Sequence, residues 1–457
     1  MKIENILENQ SRFFKTQKTK DVAFRKQLLL KLKKEIIKSE DEICDALYKD
    51  FKKPRFESLA AETQFALSEL QYVIDNLRFW CKPERTSSSL ANFPSSSYIY
   101  SEPYGTVLII SPWNYPFLLS ISPLIGAIAA GNTAVIKPSE LTPVTSKIIA
   151  KIIKNVFSEE HVTVIEGGVS VAQELLQQKW DYIFFTGSSK VGKIVYKSAA
   201  EHLTPVTLEL SGKNPCIVAK TANIKLAAKR IVWGKFLNAG QTCIASDYIL
   251  VHKDIKDELI KALQKSIIKS FGTDIENSND FARIATQVNY QRLKEMLLGE
   301  KMIFGGDTND DDQYISPTLV EATSVNDKVM KGEIFGPILP IITYNTEADI
   351  DKYLSNYGKP LGLYIFSNNK KFQQKIIKKY SFGGGVINDT VMQITNKKTP
   401  FGGVGSSGIG GYHGKHSFDL FSHKKSILKR ANWLDVPLRY PPYNLPIKLV
   451  KKMKHLF

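Results

Sequence analysis

The chain has 457 residues, of which 43% are hydrophobic and 23% are charged, and its formal net charge is +17. This length predicts two or three domains, and the apolar fraction is enough to bury a core, which excludes an intrinsically disordered protein. The four cysteines lie far apart and form no CxxC pair, which argues against a disulfide scaffold or a zinc cluster. The N-terminal residues lack the apolar core of a secretory signal, so we expect reduced thiols in a cytoplasm.

The elements predicted along the chain are those of an α/β protein. Residues 1–80 are predicted to be helical, because apolar residues recur there at three- and four-residue spacing among charged ones. The polar, Pro- and Ser-rich segment 82–97 predicts a loop. From 106 to 211, short apolar strands alternate with helical stretches, which is typical of a doubly wound parallel sheet. The alternation resumes afterwards, so we expect a second α/β domain over 212–395.

Two glycine-rich segments are similar to nucleotide-binding motifs. Residues 403–408 match GxGxxG, but neither a strand nor a helix-forming sequence flanks them, so we expect a loop. Residues 187–194 follow an apolar strand and begin a predicted helix. They are not a P-loop, because Ile194 stands where a hydroxyl would hold magnesium. Such a strand-to-helix turn still offers N–H groups and a helix dipole to a diphosphate such as that of NAD.

Several polar side chains are candidates for chemistry, and each has an ordinary structural alternative. Cys243 lies among small and polar residues, which suits a nucleophile, although a lone cysteine is more often an inert buried residue. Glu209 ends an apolar strand, where it is either paired or has the raised pKa of a general base. Asn114 lies in a proline-fixed loop, as an oxyanion donor or as a turn residue. Lys137 and Glu140 end a strand where doubly wound sheets bind ligands, or are simply solvated.

Together these segments resemble aldehyde dehydrogenases, and within them the class 3 or fatty-aldehyde type, in order and spacing over nearly the whole chain. The matching motifs are PWNYP (112–116), KPSE (137–140), FTGSSKVG (185–192), LELSGKNP (208–215), GQTC (240–243), EIFGPILP (333–340), PLGLYIFS (360–367) and PFGGVGSSGIGGYHGKHSFDLFSHKKSIL (400–428). The last of these motifs, with YHGKHSF, points to class 3.

The resemblance implies two doubly wound α/β domains and a small oligomerisation element. A Rossmann-like NAD(P)-binding domain would span 1–84 and 104–211, and a catalytic domain would span 212–395. Segments 85–103 and 396–457 would form the oligomerisation element of a homodimer and a basic tail.

The resemblance also implies a reaction. Cys243 would attack the aldehyde carbon, and the side chain of Asn114 with the backbone N–H of Cys243 would hold the oxyanion. Glu209 would then activate the water that releases the acid from a thioester. Enzymes of the family that pass the acyl group to coenzyme A tend to lack this glutamate.

The cofactor implied is NAD, with NADP left open, and no metal is implied. Lys137 and Glu140 would reach the adenine ribose, where Glu140 favours NAD because it repels a 2′-phosphate. The cofactor-binding residues implied are Trp113, Lys137, Glu140, Gly187, Ser188, Gly192, Glu333 and Phe335.

The substrate-pocket residues implied are Tyr115, Trp233, Phe401 and His413, whose aromatic character suits a hydrophobic aliphatic or aromatic aldehyde. Two alternatives stay open at this point. One is a coenzyme-A-acylating or semialdehyde-specific relative, and the other is a non-catalytic NAD-binding protein.

The excess positive charge lies largely in a tail. Residues 424–457 hold nine Lys or Arg and one acid, a net charge of +8, and no nucleic-acid-binding motif accompanies them. Apolar residues interleave with lysines from Ile447 to the end, which would suit a short basic amphipathic helix in weak contact with an anionic membrane surface. A solvated or docked tail is the ordinary alternative.

Overall fold

The computed structural model describes residues 2–435, 439–452 and 454, and of Leu90 only the backbone. The helices are α1 Ile3–Lys15, α2 Val22–Lys38, α3 Glu40–Phe51, α4 Arg55–Ser58, α5 Gln64–Trp80, α6 Leu118–Ala130, α7 Pro143–Val156, α8 Val169–Leu176, α9 Ser189–Glu201, α10 Ile224–Phe236, α11 Lys256–Phe271, α12 Gln287–Leu297, α13 Glu347–Ser355, α14 Lys370–Lys379, α15 Lys415–Leu420 and α16 Ile447–Lys452. The strands are β1 Glu84–Thr86, β2 Ser95–Pro103, β3 Thr106–Ile110, β4 Thr133–Lys137, β5 Val162–Val164, β6 Tyr182–Thr186, β7 Val206–Glu209, β8 Pro215–Val218, β9 Tyr248–His252, β10 Lys301–Phe304, β11 Thr308–Asn309, β12 Tyr314–Ile315, β13 Thr318–Glu321, β14 Ile338–Tyr344, β15 Gly362–Phe366, β16 Gly384–Ile387, β17 Gly408–Ile409 and β18 Ser422–Arg430.

The first large sheet has the strand order β17-β7-β6-β3-β4-β5, and all its pairs are parallel except that of β17 with β7. The chain starts at β3, moves outward through β4 and β5, and then crosses back to place β6 on the other side of β3. This reversal opens a crevice at the carboxyl ends of β3 and β6. The doubly wound sheet predicted from the alternating pattern is therefore confirmed.

The second large sheet has the order β10-β13-β14-β9-β8-β15-β16, and only its edge strand β10 is antiparallel. Its strands β8 and β15 are buried along their whole length, as expected for a sheet covered on both faces by helices. The second α/β unit predicted after the first is also confirmed.

The N-terminal helices cover the first sheet. Leu29, Leu32 and Ile36 recur on one face of α2 and are fully buried, and α2 packs on α5, α6 and α7. Between α4 and α5 the chain makes a π-helical turn, Leu59–Thr63, which projects Glu62 into this packed layer. The helical character predicted for residues 1–80 is confirmed.

A small antiparallel sheet, with the order β1-β2-β18, joins the segment after α5 to the segment after α15, so the loop predicted for 82–97 is wrong where β1 and the start of β2 pair with each other. The segment beyond residue 396 therefore contributes β18 to this sheet and β17 to the edge of the first large sheet. The boundaries expected for the domains stay a prediction.

The tail is described only in part. In the portion of the chain that the structure describes, no helix is both long and apolar enough to cross a membrane. The helix α16 has six residues, all exposed. Met453, Leu456 and Phe457, which would extend its apolar face, lie outside the described residues, so the contact with a membrane surface stays a prediction.

Candidate active site

The first sheet brings four of the predicted segments to one edge. Strands β3, β4, β6 and β7 run parallel as neighbours, so the residues that follow them emerge at the same end. The loop 112–116 follows β3, Lys137 ends β4, the turn at Gly187 follows β6, and Glu209 ends β7. The topology alone therefore gathers groups that lie nearly 100 residues apart in sequence.

The loop 112–116 is tied to the segment that precedes Cys243. The Asn114 Nδ2 amide donates to the carbonyl of Gln241 at 3.0 Å, and the Tyr115 hydroxyl is 2.7 Å from Thr242 Oγ1. In return, Asn238 Nδ2 donates to the carbonyl of Asn114 at 2.8 Å. These contacts hold a loop of the first sheet against the segment that carries the thiol.

The segment before Cys243 has a forced backbone conformation. Asn238, Ala239 and Gly240 have φ values of 55°, 52° and 75°, in the left-handed region. Glycine is needed at 240, because a Cβ there would clash with the carbonyl of Gly336. Three consecutive left-handed residues turn the chain sharply after α10, and such strain commonly marks a functional segment.

Cys243 lies on the wall of a cavity of about 430 Å³. Burial raises the pKa of its thiol to about 12, and the negative charges of Glu333 and Glu209 add to this effect. The backbone N–H groups of Cys243 and Ile244 lower the pKa in part, because they donate towards the sulfur. The thiol is therefore protonated at neutral pH, and a nucleophilic role requires that its proton be removed.

Glu209 is 2% exposed, and neither of its carboxylate oxygens has a hydrogen-bond partner among the described residues. Burial raises its pKa well above the ordinary value. Of the two alternatives expected from the sequence, a paired carboxylate or a carboxyl group with a raised pKa, the structure has the second. A raised pKa makes the ionised form of this group a stronger base than an ordinary carboxylate.

Residues from both large sheets also meet around residues 333–335. The rings of Trp113, from the loop after β3, and Phe335, from the segment before β14, lie edge to face with centroids 5.3 Å apart. Glu333 accepts a hydrogen bond from the Ser211 hydroxyl. Burial raises the pKa of Glu333 to about 8, and repulsion from Asp247 contributes.

The crevice fits a dinucleotide. Ser188 is the N-cap of α9, and its hydroxyl accepts from the N–H of Val191 at 3.3 Å. The first turn of α9 has no acidic residue, so the positive end of the helix is left to an anion such as a diphosphate. Lys137 is buried and ion-paired with the more exposed Glu140. Gly192 is explained by packing, since a Cβ there would lie 2.7 Å from Leu210 Cδ2.

The cavity beside Cys243 is largely apolar and aromatic. Three of the expected pocket residues, Tyr115, Trp233 and Phe401, line it, and so do Phe56, Phe65 and Tyr412. His413 is not among its lining residues. It is buried one layer behind, with its ring stacked on Tyr412 at 4.1 Å and its Nδ1 atom 3.3 Å from Glu69 Oε1.

The charged residues that line the cavity, Glu57 and Asp280, are both acidic, and no Lys or Arg is found among its described lining residues. Glu57 lies in none of the sequence motifs. Its sequence neighbours are helical and show no pattern that would indicate a site. Its Oε2 atom accepts the backbone N–H of Asn238 at 2.9 Å, a contact that only the folded chain creates. Thr242 and Tyr412 were also missed as wall residues, although both lie inside motifs that were noted.

Comparison with known proteins agrees with this geometry. A model of the aldehyde dehydrogenase family matches residues 1–427. The chain is 48% identical to 4,4′-diaponeurosporen-aldehyde dehydrogenase of Staphylococcus aureus (strain NCTC 8325 / PS 47) over 98% of both chains. It is 41% identical to aldehyde dehydrogenase family 3 member A2 of Rattus norvegicus, over 94% of this chain and 89% of that one.

Solved structures are similar over most of the chain. The substrate-bound state of Staphylococcus aureus AldH superposes with a TM-score of 0.97 at 48% identity, over 99% of each chain. GapN of Methanocaldococcus jannaschii DSM 2661, solved with NADP, has a TM-score of 0.84 at 27% identity over 94% of each chain. PnpE, solved with nicotinamide adenine dinucleotide, has a TM-score of 0.84 at 26% identity, over 95% of this chain and 90% of that one.

The crevice, the half-buried thiol and these relatives define an oxidoreductase that uses NAD or NADP. The chain belongs to the aldehyde dehydrogenase family, where its similarity is to family 3, and it is an NAD(P)-dependent aldehyde dehydrogenase.

The raised pKa of Cys243 leads to a test. Without cofactor, the rate of alkylation of Cys243 by iodoacetamide should rise about tenfold per pH unit between pH 7 and 9 without levelling off, because only the thiolate reacts. Quantitative mass spectrometry of the Cys243 peptide measures this rate, and a Cys243→Ala variant controls for modification elsewhere. A plateau below pH 9 would contradict the burial argument.

Proposed function

We propose that the enzyme oxidises uncharged hydrophobic aldehydes to free carboxylic acids through a thioester on Cys243. The observation that carries the proposal is the convergence of three groups. The charge of Glu209 acts on the Cys243 thiol, and the Asn114 amide is hydrogen-bonded two residues before that thiol.

The first half of the reaction forms a carbon–sulfur bond. The Cys243 thiol passes its proton through water to the solvent, and its sulfur attacks the aldehyde carbon, so that the carbonyl oxygen becomes an oxyanion. The Asn114 side chain and the backbone N–H of Cys243 stabilise that oxygen, and each such donor contributes about 3–4 kcal/mol to lowering the barrier. Bound NAD(P)+ supplies the acceptor for the hydride that leaves the same carbon.

The second half breaks the carbon–sulfur bond. Glu209 takes a proton from a water molecule, whose oxygen attacks the thioester carbonyl. The acid leaves, and the sulfur regains a proton. The buried position and raised pKa of Glu209 suit this role, because they make its carboxylate a stronger base than an exposed one.

For the cofactor, we assign Lys137 and Glu140 to the adenine ribose, Ser188 and the Gly187 turn to the diphosphate, and Glu333 to the nicotinamide ribose. Phe335 and Trp113, whose rings touch, would flank the nicotinamide. The carboxylate of Glu140 favours NAD over NADP, because it can accept from a 2′-hydroxyl and repels a 2′-phosphate.

The lining of the cavity supports an uncharged substrate. Aromatic walls bury alkyl or aryl groups, and each buried methylene contributes about 0.8 kcal/mol. Glu57 and Asp280 repel a carboxylate, and the described lining offers no cation to bind one. A semialdehyde that carries a second carboxylate is therefore disfavoured. Glu209 disfavours acyl transfer to coenzyme A, since it supports the competing hydrolysis.

We further propose a cytoplasmic homodimer. All four cysteines are free thiols, as in a reducing compartment. Strand β18 is nine residues long and mostly exposed, and among the described residues no strand covers its outer edge. Such an edge is suited to pair with a second chain. Contact of the basic tail with a membrane surface stays a prediction.

A substrate series tests the proposed specificity. With NAD at pH 8, kcat/KM for unbranched aldehydes should rise about fourfold per methylene until the cavity is filled. Aldehydes of the same length with a terminal carboxylate should be at least tenfold poorer. A preference for the carboxylated series would favour a semialdehyde enzyme, and an acyl-coenzyme A product would favour the acylating alternative. No NADH or NADPH with any aldehyde would overturn the proposal.

Two variants test the thioester. Glu209→Gln should release about one NADH per site in a rapid burst and then turn over about 10²–10⁴-fold more slowly, because hydrolysis loses its base. Cys243→Ala should show neither burst nor turnover. Stopped-flow absorbance at the NADH band measures both. Unchanged steady-state turnover of Glu209→Gln would remove that residue from the mechanism.

Sedimentation analysis tests the dimer. The protein should sediment with twice the mass of one chain, and Ile427→Lys with Leu428→Lys should shift it to the monomer, because both exposed residues lie on β18. A monomeric mass of the unaltered protein at micromolar concentration would contradict the proposed assembly.

A further inference from the structure

Lys53 and Glu62 form an ion pair that is completely buried. Both side chains have an exposed fraction of 0%, and Lys53 Nζ is 2.6 Å from Glu62 Oε1. Burying two charges costs free energy that their attraction does not fully recover, so stability alone does not explain such a pair. The contacts of the pair with the loop that carries Asn114 indicate a role in positioning that loop.

Glu62 holds the end of the loop that carries Asn114. Its second oxygen, Oε2, accepts the backbone N–H groups of Phe117 at 2.9 Å and Leu118 at 3.1 Å. These residues begin α6 directly after the loop 112–116, where the helix dipole favours a carboxylate. The π-helical turn Leu59–Thr63 contains Glu62, and such turns are frequent at functional sites.

Lys53 contacts the same loop through the aromatic ring of Tyr115. Its ammonium group lies 3.9 Å from the centroid of the Tyr115 ring, which is the geometry of a cation–π contact. The hydroxyl of that tyrosine is hydrogen-bonded to Thr242, next to Cys243. The ion pair therefore contacts Tyr115 in the loop and the residues that directly follow the loop, while the loop is itself hydrogen-bonded to the segment before Cys243.

We infer that Lys53 and Glu62 are positioning residues, whose ion pair fixes the Asn114 loop against the Cys243 segment. The inference rests on the proposed role of Asn114 as the oxyanion donor. Neither residue of the pair lines the substrate cavity. They act through Asn114 and Tyr115.

The expected effect follows from the sensitivity of catalysis to small displacements. Misplacement by about 1 Å can cost about 100-fold in rate, and removal of one oxyanion donor costs about 10²–10³-fold. A loosened loop retains its donor in an imperfect position. Loss of the pair should therefore slow the burst phase by about 10–100-fold, less than Asn114→Ala does.

The test uses the full-length double variant Lys53→Met with Glu62→Gln, placed with all its controls in the Glu209→Gln enzyme, whose slow hydrolysis makes the burst measurable. It removes both charges together, so that neither is left buried alone, and it keeps a side-chain oxygen for the N–H groups of Phe117 and Leu118. Stopped-flow NADH formation gives the amplitude and the rate constant of the burst separately. A slower rate constant at full amplitude supports positioning. A lower amplitude with an unchanged rate constant indicates a merely structural role and overturns the inference.

A double-mutant cycle with Asn114→Ala shows whether the pair acts through that residue. In the Asn114→Ala background, the two substitutions at 53 and 62 should have little further effect on the burst rate constant. Independent, multiplying effects would overturn the inference. If Asn114→Ala itself left the burst unchanged, the proposed function would fail instead, so the two failures are distinguishable.

Two further variants keep the test decisive if the double variant does not fold. Tyr115→Leu removes the ring that Lys53 contacts and leaves the ion pair intact, and it should slow the burst at full amplitude. A Tyr115→Leu enzyme with an unaltered rate constant would overturn the inference. Lys256→Met is the matched control, because it removes a lysine from a partly buried pair with Glu321, which keeps Lys301 as its partner. Its burst should be unaltered.

Discussion

The chemistry depends on holding a loop of one sheet against a turn of the other within hydrogen-bonding distance. Asn114 follows a strand of the first sheet, and Cys243 lies just before a strand of the second. The hydrogen bonds of Asn114, Tyr115 and Asn238 hold the loop 112–116 against the segment before Cys243. The carboxyl-end edge of the first sheet, where we propose that the dinucleotide binds, is therefore also where the thiol meets the charge of Glu209.

Burial at this junction determines how readily its acidic groups ionise. Cys243, Glu209 and Glu333 all have raised pKa values, chiefly because little water reaches them. The two acids raise the pKa of the thiol further through like charge, so ionisation of one group opposes ionisation of the others. The pKa shifts of these three groups favour their protonated forms, and the low-dielectric walls around them increase what an oxyanion gains from each fixed donor.

Residues that line the substrate cavity also hold the catalytic groups in place. Tyr115 contributes to the cavity and contacts both Lys53 and Thr242, so a wall residue is also part of the scaffold that holds the reactive groups. Phe401 and Tyr412 pair as an isolated bridge in the segment that also carries Gly402, which lies against Glu209. Pocket shape and catalytic geometry are therefore not independent in this fold.

The sequence by itself determined the layout of the strands and the identity of the chemical groups. Continuous apolar runs such as Thr106–Ile110 are recognisable because parallel strands are buried on both faces, and the GxGxxG match at 403–408 could be dismissed for lack of a flanking strand and helix. What only the tertiary structure decided depends on contacts between distant segments. The placement of His413 behind Tyr412, the acidic lining at Glu57 and the Lys53–Glu62 pair have no local pattern. They arise because helices packed on the first sheet bring side chains to a junction that no periodicity of the chain encodes.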